Sequence, residues 1–202
     1  MRIVLTREAE RGDALAAELR ARGHEVSCVP LTAVEDADPF PDPSPFDGVL
    51  FTSVNAVARA PKEARWPRVG AVGDATAAAL RARGIKVDVV GAGGGKDLAA
   101  AWGPAKGQRL LLPQAADAQP DLAEALRAAG ARVTVAAVYR AVPLAGVDRA
   151  PFERADLVCF FAPSQVRAFR ALSVKTAARF WGHRPTTRAA MKDLPQVAEL
   201  PL

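Results

Sequence analysis

Several turns in this sequence carry side chains suited to holding a negatively charged group. Thr6 and Arg7 close the first apolar run; Thr52, Ser53 and Asn55 follow Phe51; Gly73, Asp74 and Thr76 follow Val72. Later in the chain, Pro163, Ser164 and Gln165 come after an apolar run, as do Pro185, Thr186 and Thr187. Hydroxyls and small residues at the start of a helix accompany unpaired main-chain N–H groups, and such places attract anions. Helix capping accounts for each hydroxyl taken singly, at about 1 kcal/mol apiece. A cap and an anion site use the same N–H groups, so the two roles coexist. A set of such turns is what an anion-binding cleft requires.

Other chemistry is poorly represented. Gly93-Gly94-Gly95-Lys96-Asp97 has no Ser or Thr after the lysine, so it reads as a turn before a helix and not as a phosphate loop. No Gly-x-Gly-x-x-Gly fingerprint argues for a dinucleotide. His183 lies beside a candidate turn but lacks a partner in sequence, and no Ser/His/Asp order supports a hydrolase. Neither Cys28 nor Cys159 has a Cys or His neighbour at ligand spacing, and both sit in strand-like runs as small core residues.

The elements that must position these turns form a repeated pattern. Arg2 to Leu5 is a short apolar run; Leu15 and Leu19 continue at helical spacing to the stop at Gly23; Val26 to Val29 is the next strand. Leu122, Leu126 and Gly130 repeat the Leu15, Leu19, Gly23 series in constant register, between strands at Leu110–Leu112 and Arg132–Ala137. The block Asp47 to Val57 resembles Asp156 to Val166, and Gly73 to Leu80 resembles Arg184 to Met191. Three matched blocks in one order point to duplication. Strands alternating with helices imply parallel sheets covered on both faces. Roughly ten short strands suit two sheets of five. The rhythm breaks at Asp36 to Pro45, with four prolines, and at Tyr139 to Pro143. The breaks fall at equivalent points, so one domain is expected to be discontinuous.

The chain has 202 residues, a formal net charge of +5 and an aromatic content of 6%. A basic balance favours anionic partners. Nucleic acid is disfavoured, because Arg20, Arg22, Arg81, Arg83, Arg127 and Arg132 are scattered over polar helix faces and stacking residues are scarce. No apolar run approaches the ~20 residues of a membrane span, and the first residues lack the apolar stretch of a secretory signal. A cytoplasmic location is expected.

Together these blocks resemble the uroporphyrinogen-III synthase family. The resemblance is carried by Thr6-Arg7, Gly23 with Pro30-Leu31, Phe51-Thr52-Ser53-Val54-Asn55-Ala56-Val57 and Val72-Gly73-Asp74-Ala75-Thr76-Ala77. Val138-Tyr139-Arg140, Phe161-Ala162-Pro163-Ser164 and Pro185-Thr186-Thr187 extend it over nearly the whole chain. It implies an α/β fold of two flavodoxin-like domains with parallel five-stranded sheets, one of about 1–33 and 142–202 and one of about 38–137. A two-stranded linker, about 34–37 and 138–141, would join them. It implies a lyase that cyclises hydroxymethylbilane, a polycarboxylate, with no cofactor and no metal. The protein would act as a monomer, with hydroxymethylbilane synthase as a transient partner, and with neither membrane nor nucleic acid involved.

By the same resemblance Thr6, Arg7, Thr52, Ser53, Asn55, Gly73, Thr76, Pro163, Ser164, Thr186 and Thr187 would bind the substrate between the domains. Tyr139 would assist the leaving hydroxyl, since an ordinary phenol, with a pKa of about 10, keeps its proton at neutral pH. The alternative role of Tyr139 is a packed linker aromatic. The sequence departs from the family pattern at Ala162, where Ser is usual, at Arg184, where Gly is expected, and at Pro113-Gln114. Those departures favour the competing reading, a tetrapyrrole- or organic-anion-binding module without activity.

Overall fold

Strands and helices alternate along almost the whole chain. The computed structural model describes residues 1–7 and 9–202, with burial given outside 8–13. The first part runs β1 (Arg2–Leu5), α1 (Ala9–Ala21), β2 (Glu25–Cys28) and β3 (Thr32–Asp36). There follow β4 (Gly48–Phe51), α2 (Val54–Ala58), β5 (Arg68–Ala71), α3 (Asp74–Ala82), β6 (Val89–Val90) and α4 (Gly95–Trp102). Next come β7 (Arg109–Ala115), α5 (Asp121–Ala128) and β8 (Arg132–Pro143). The chain finishes with α6 (Ala150–Glu153), β9 (Leu157–Phe160), α7 (Pro163–Ala171), β10 (Arg179–Gly182) and α8 (Pro185–Ala190). Among the described residues, no helix is long and apolar enough to cross a membrane.

The chain divides into two compact units, Met1–Ala33 with Ala141–Leu202, and Val34–Arg140. In the first unit a four-stranded sheet runs β10-β9-β1-β2, with every neighbouring pair parallel. A six-stranded sheet runs β3-β8-β7-β4-β5-β6, parallel from β8 to β6. The expectation of five strands in each sheet is therefore corrected to four and six. The missing fifth strand of the first sheet is reduced to a single bridge, Phe180 with Gln196. Pro195 beside it has no N–H to extend a ladder. The extra strand of the other sheet is β3, which neighbours β8, and the contact continues past its end with bonds from Ala37 N–H to Val138 O and from Asp38 N–H to Ala137 O. The β8 residue number falls as the β3-side number rises, so this ribbon is antiparallel.

Burial explains the central strands. Every residue of β4 and of β9 is buried, as expected of strands covered on both faces. In the discontinuous unit, Ile3, Leu5 and Leu19 pack on one face of the sheet, and Val4, Phe152, Phe160 and Phe169 on the other. In the continuous unit, Phe51, Val57, Val69 and Leu80 fill one face and Leu50, Leu98, Trp102 and Leu110 the other. Gly48 is required by this packing, since a Cβ there would collide with the Trp102 ring and sit 3.0 Å from Leu110. Cys159 lies in the core, where burial pushes its thiol up to about 12 and removes it from thiolate chemistry.

The duplication is visible in matched contacts. Asp156 accepts the Arg2 main-chain N–H at 2.7 Å and donates its own N–H to Arg2 O at 2.8 Å. Asp47, its counterpart, accepts the Arg109 N–H at 2.7 Å and donates to Arg109 O at 2.8 Å. Leu157 pairs with Arg179 as Gly48 pairs with Arg68, and His183 N–H reaches Phe160 O as Val72 N–H reaches Phe51 O, both at 2.9 Å. Equivalent strands thus hold equivalent places in the two sheets.

The main-chain bond from Arg2 holds Asp156 below the usual carboxylate range, and that from Arg109 does the same for Asp47. A carboxyl with a depressed folded pKa adds stability above its unfolded value and loses it as the pH falls through the folded one. We expect stability, read as the urea midpoint, to drop on acidification from about pH 5 to about pH 2. In Asp47→Asn/Asp156→Asn the neutral-pH midpoint should be lower and the acid loss smaller. An unchanged acid profile would remove these carboxyls from the account.

Candidate functional site

In a parallel sheet, ligand-facing residues stand beyond the carboxyl ends of the strands, at the point where strand order reverses. That point lies between β7 and β4 in the continuous unit, and between β1 and β9 in the discontinuous one. The sequence-predicted residues fall at these strand ends, in two separate groups.

In the continuous unit, Ser53 has extended backbone angles and its Oγ accepts the Ala56 N–H at 3.2 Å, so it caps α2. The same oxygen lies 2.9 Å from the Tyr139 hydroxyl. Tyr139 reaches this position through an irregularity in β8. Gln114 pairs with Ala137, but Ala115 pairs with Tyr139, so Val138 is an extra residue and the strand bulges. Bulges re-aim side chains and recur beside active sites. Thr52 and Asn55 are half-buried beside Ser53, and Asn55 has an interaction partner of its own. Gly73 is the residue preceding α3, and Thr76 is buried within its first turn.

Sequence reasoning missed Arg59, at the end of α2. Its guanidinium stands over the Tyr139 ring at 5.4 Å from the centroid. It donates to Asn55 O at 3.0 Å and pairs with Asp36 at 2.8 Å, while its buried Nε has no partner. The spacing from Asn55 to Arg59 is one helical turn, which is the signal that could have found it. A cavity of about 560 Å³ opens here, lined by Asp36–Phe40, Ala58, Arg59 and Val138. Two hydroxyls in contact beside a fixed cation can donate to, and accept from, an oxygen that is leaving a substrate.

In the discontinuous unit, the hydroxyl of Thr6 is turned inward. Thr6 is fully buried, with Oγ1 2.8 Å from Cys159 O and 2.9 Å from Gln165 Oε1. Gln165 Oε1 also accepts the N–H groups of Phe161 at 2.7 Å and Ala162 at 3.2 Å. Ala162 has no oxygen to cap α7; the Gln165 N–H, which matches that of Ala56, goes to Ala162 O at 3.1 Å, and the Gln165 side chain instead serves the two N–H groups before the helix. Pro163 opens α7, and Ser164 beside it is half-buried. Thr186 is exposed, whereas Thr187 is fully buried and its hydroxyl has no partner among the described residues. Arg7 lies over the Phe161 ring at 4.5 Å. Thus Ser53 and Tyr139 are brought together, while Thr6 is joined to Gln165 in a staple between β1, β9 and α7.

Among the described residues, no three His, Cys, Asp or Glu side chains gather in a way that could hold a metal ion.

Residues 13–196 match the family model described as uroporphyrinogen-III synthase HemD. The chain is similar to the crystal structure of uroporphyrinogen-III synthetase from Helicobacter pylori. The TM-score is 0.69 at 19% identity, over 97% of this chain and 91% of that one. It is also similar to a mutant uroporphyrinogen III synthase from the extremely thermophilic bacterium Thermus thermophilus, with TM-score 0.60 at 20% identity, over 99% and 94%. At such identities the structural likeness shows the fold. No curated protein matches the sequence.

The α7 staple generates a stability test. Gln165→Ala leaves the Phe161 and Ala162 N–H groups short of a partner and the Thr6 hydroxyl with Cys159 O alone, a loss of about 1–3 kcal/mol in urea unfolding. Adding Ala162→Ser transplants the cap of the other unit and should restore about 1 kcal/mol. A Gln165→Ala protein as stable as the parent would contradict the staple.

Proposed function

Because the chain belongs to the uroporphyrinogen-III synthase HemD family, we propose that it is a cyclising lyase acting on hydroxymethylbilane. It converts this linear tetrapyrrole to uroporphyrinogen III, with loss of water and inversion of ring D. Each unit serves as a flavodoxin-like domain, and the interdomain location of the reaction is part of the proposal. The observation that carries the reading is the 2.9 Å contact between the Ser53 and Tyr139 hydroxyls, with Arg59 over the phenol ring.

The residues act as follows. Tyr139 donates a hydrogen bond to the hydroxyl on ring A as the C–O bond breaks, and water leaves. Ser53 orients the phenol, and the Arg59 cation supports negative charge that develops on the phenol oxygen. The azafulvene so formed is attacked by the substituted carbon of ring D. The resulting spiro intermediate lets that ring invert before closure, and the proton lost from ring D at the end balances the one given to the hydroxyl. The main task is conformational: a floppy chain must be held so that this attack outruns simple closure. Helix-start amides at Thr52, Ser53, Asn55, Gly73 and Thr76, and at Ser164, Thr186 and Thr187, hold substrate carboxylates, while Pro163, which has no N–H, fixes the start of α7 beside them. Each hydrogen bond to a charged group contributes about 1.5–3 kcal/mol. Arg7 adds charge, and Thr6 positions its strand end.

The protein works without a cofactor, as a monomer in the cytoplasm, and takes its unstable substrate from hydroxymethylbilane synthase in a transient encounter.

Freshly made hydroxymethylbilane separates the outcomes. The parent protein should yield the type III isomer. Tyr139→Phe should form it about 10²–10⁴-fold more slowly with an unchanged urea midpoint. Only the spontaneous type I isomer from the parent would overturn the enzyme reading, and parental rates in Tyr139→Phe would remove the phenol from the reaction.

A further inference from the structure

The discontinuous unit has a charged aromatic cluster at its strand ends, built on Phe161 and Trp181, which also pack against the Ile3, Leu5 and Leu19 side of the core. Phe161, Trp181 and His183 meet ring to ring, with centroids 6.0 Å, 5.9 Å and 5.7 Å apart. The Arg7 guanidinium covers Phe161 from one side. Arg184 immediately precedes α8, and Arg188 lies one turn further along it. The Arg188 stem packs on Gly182, where a Cβ would come within 2.9 Å of Arg188 Cγ, and its guanidinium reaches Gly182 O at 3.4 Å.

These cations gather around one imidazole. Partial burial, then the charges of Arg184, Arg7 and Arg188, hold His183 below its ordinary pKa. Neither α7 nor α8 has an acidic residue in its first turn. Among the described residues, no carboxylate pairs with Arg184 or Arg188. Like charges held together with no anion between them repel, and a bound carboxylate would relieve that repulsion.

The duplication supplies an internal comparison. By the matched register of the two sheets, Phe161, Trp181 and His183 stand where the continuous unit has Thr52, Gly70 and Val72. Arg184 and Arg188 stand where it has Gly73 and Ala77, and Arg7 where it has Gln114. The same framework folds with small or neutral residues at all these places. The cluster is therefore an addition to one copy, and its composition is that of a recognition surface.

The geometry points to a subsite for one dicarboxylate pyrrole ring: the ring lies against Trp181 and Phe161, and Arg184 and Arg188 take its two carboxylate arms. A planar, electron-rich ring suits an aromatic face flanked by cations. Guanidinium groups bind carboxylates through two parallel N–H donors, which fixes the orientation of each arm. This subsite deepens the proposed function and rests on it, because it would grip one ring of the tetrapyrrole and help to decide which ring is free to invert. It assigns substrate contacts to Phe161, Trp181, Arg184 and Arg188, with His183 beside them as a reporter.

Porphobilinogen, a single pyrrole with one acetate and one propionate arm, is the probe. Binding is followed by NMR of the His183 ring and by Trp fluorescence. A carboxylate nearby should move the His183 titration to higher pH, against the effect of the arginines. Arg184→Gln/Arg188→Gln should weaken binding at least about tenfold, while Arg184→Lys/Arg188→Lys should recover part of it. A pyrrole lacking both carboxylates should not perturb His183. Unaltered porphobilinogen affinity in the Gln double variant, or an unresponsive His183 in the parent, would overturn the subsite. The parent's product isomer is read separately. Probe binding that depends on both arginines supports the subsite even if no type III isomer forms, and that combination would sink the cyclase reading alone.

Discussion

A strand buried on both faces must be followed by a helix whose first N–H groups have no partner within the helix. How those groups are satisfied decides what each strand end can do. After β4 the acceptor is Ser53 Oγ, a small side chain that leaves its oxygen within reach of Tyr139. After β9 the matching N–H, that of Gln165, goes to Ala162 O, and the Gln165 side chain reaches back across the turn to the Phe161 and Ala162 N–H groups and the Thr6 hydroxyl. One solution keeps a hydroxyl pair at the site. The other ties three elements together and leaves the surface of the turn to aromatic and cationic side chains.

This difference turns a duplicated framework into two unequal halves. The Asp–Arg pins at Asp47 and Asp156 keep the strand registers alike, so the same positions recur at both sets of strand ends. At those positions one unit places small residues, hydroxyls and a phenol, and the other places arginines around three rings. On the proposed reaction the first is suited to departure of a hydroxyl and the second to holding carboxylates.

Much of the architecture was legible in the sequence because it rests on local chemistry. Leu15, Leu19 and Gly23 repeat as Leu122, Leu126 and Gly130, and the structure puts the leucines in helices between parallel strands and the glycines, at positive φ, just past the helix ends. The sheet sizes were not legible, since four and six strands replace five and five. Whether residues near Gln196 make a strand or one bridge depends on the Pro195 main chain, and β3 joins β8 by long-range pairing that no local pattern reports. At the site, the pairing of Ser53 with Tyr139 depends on a bulge at Val138 that breaks period-two alternation. Arg59 escaped because an arginine ending a short helix usually marks a solvated face, and only the fold stacks it on a ring. Thr6 read as a substrate-binding hydroxyl at a strand end, and its burial was not legible because its partner Gln165 is far along the chain.

The claim that matters most is that Ser53 and Tyr139 act as one unit on the leaving hydroxyl. A double-mutant cycle on the rate of type III isomer formation tests it, with Ser53→Ala, Tyr139→Phe and the combination. The account predicts that the double variant is no slower than the slower single one. Rate losses that simply multiply would show that the two hydroxyls work independently and would contradict it.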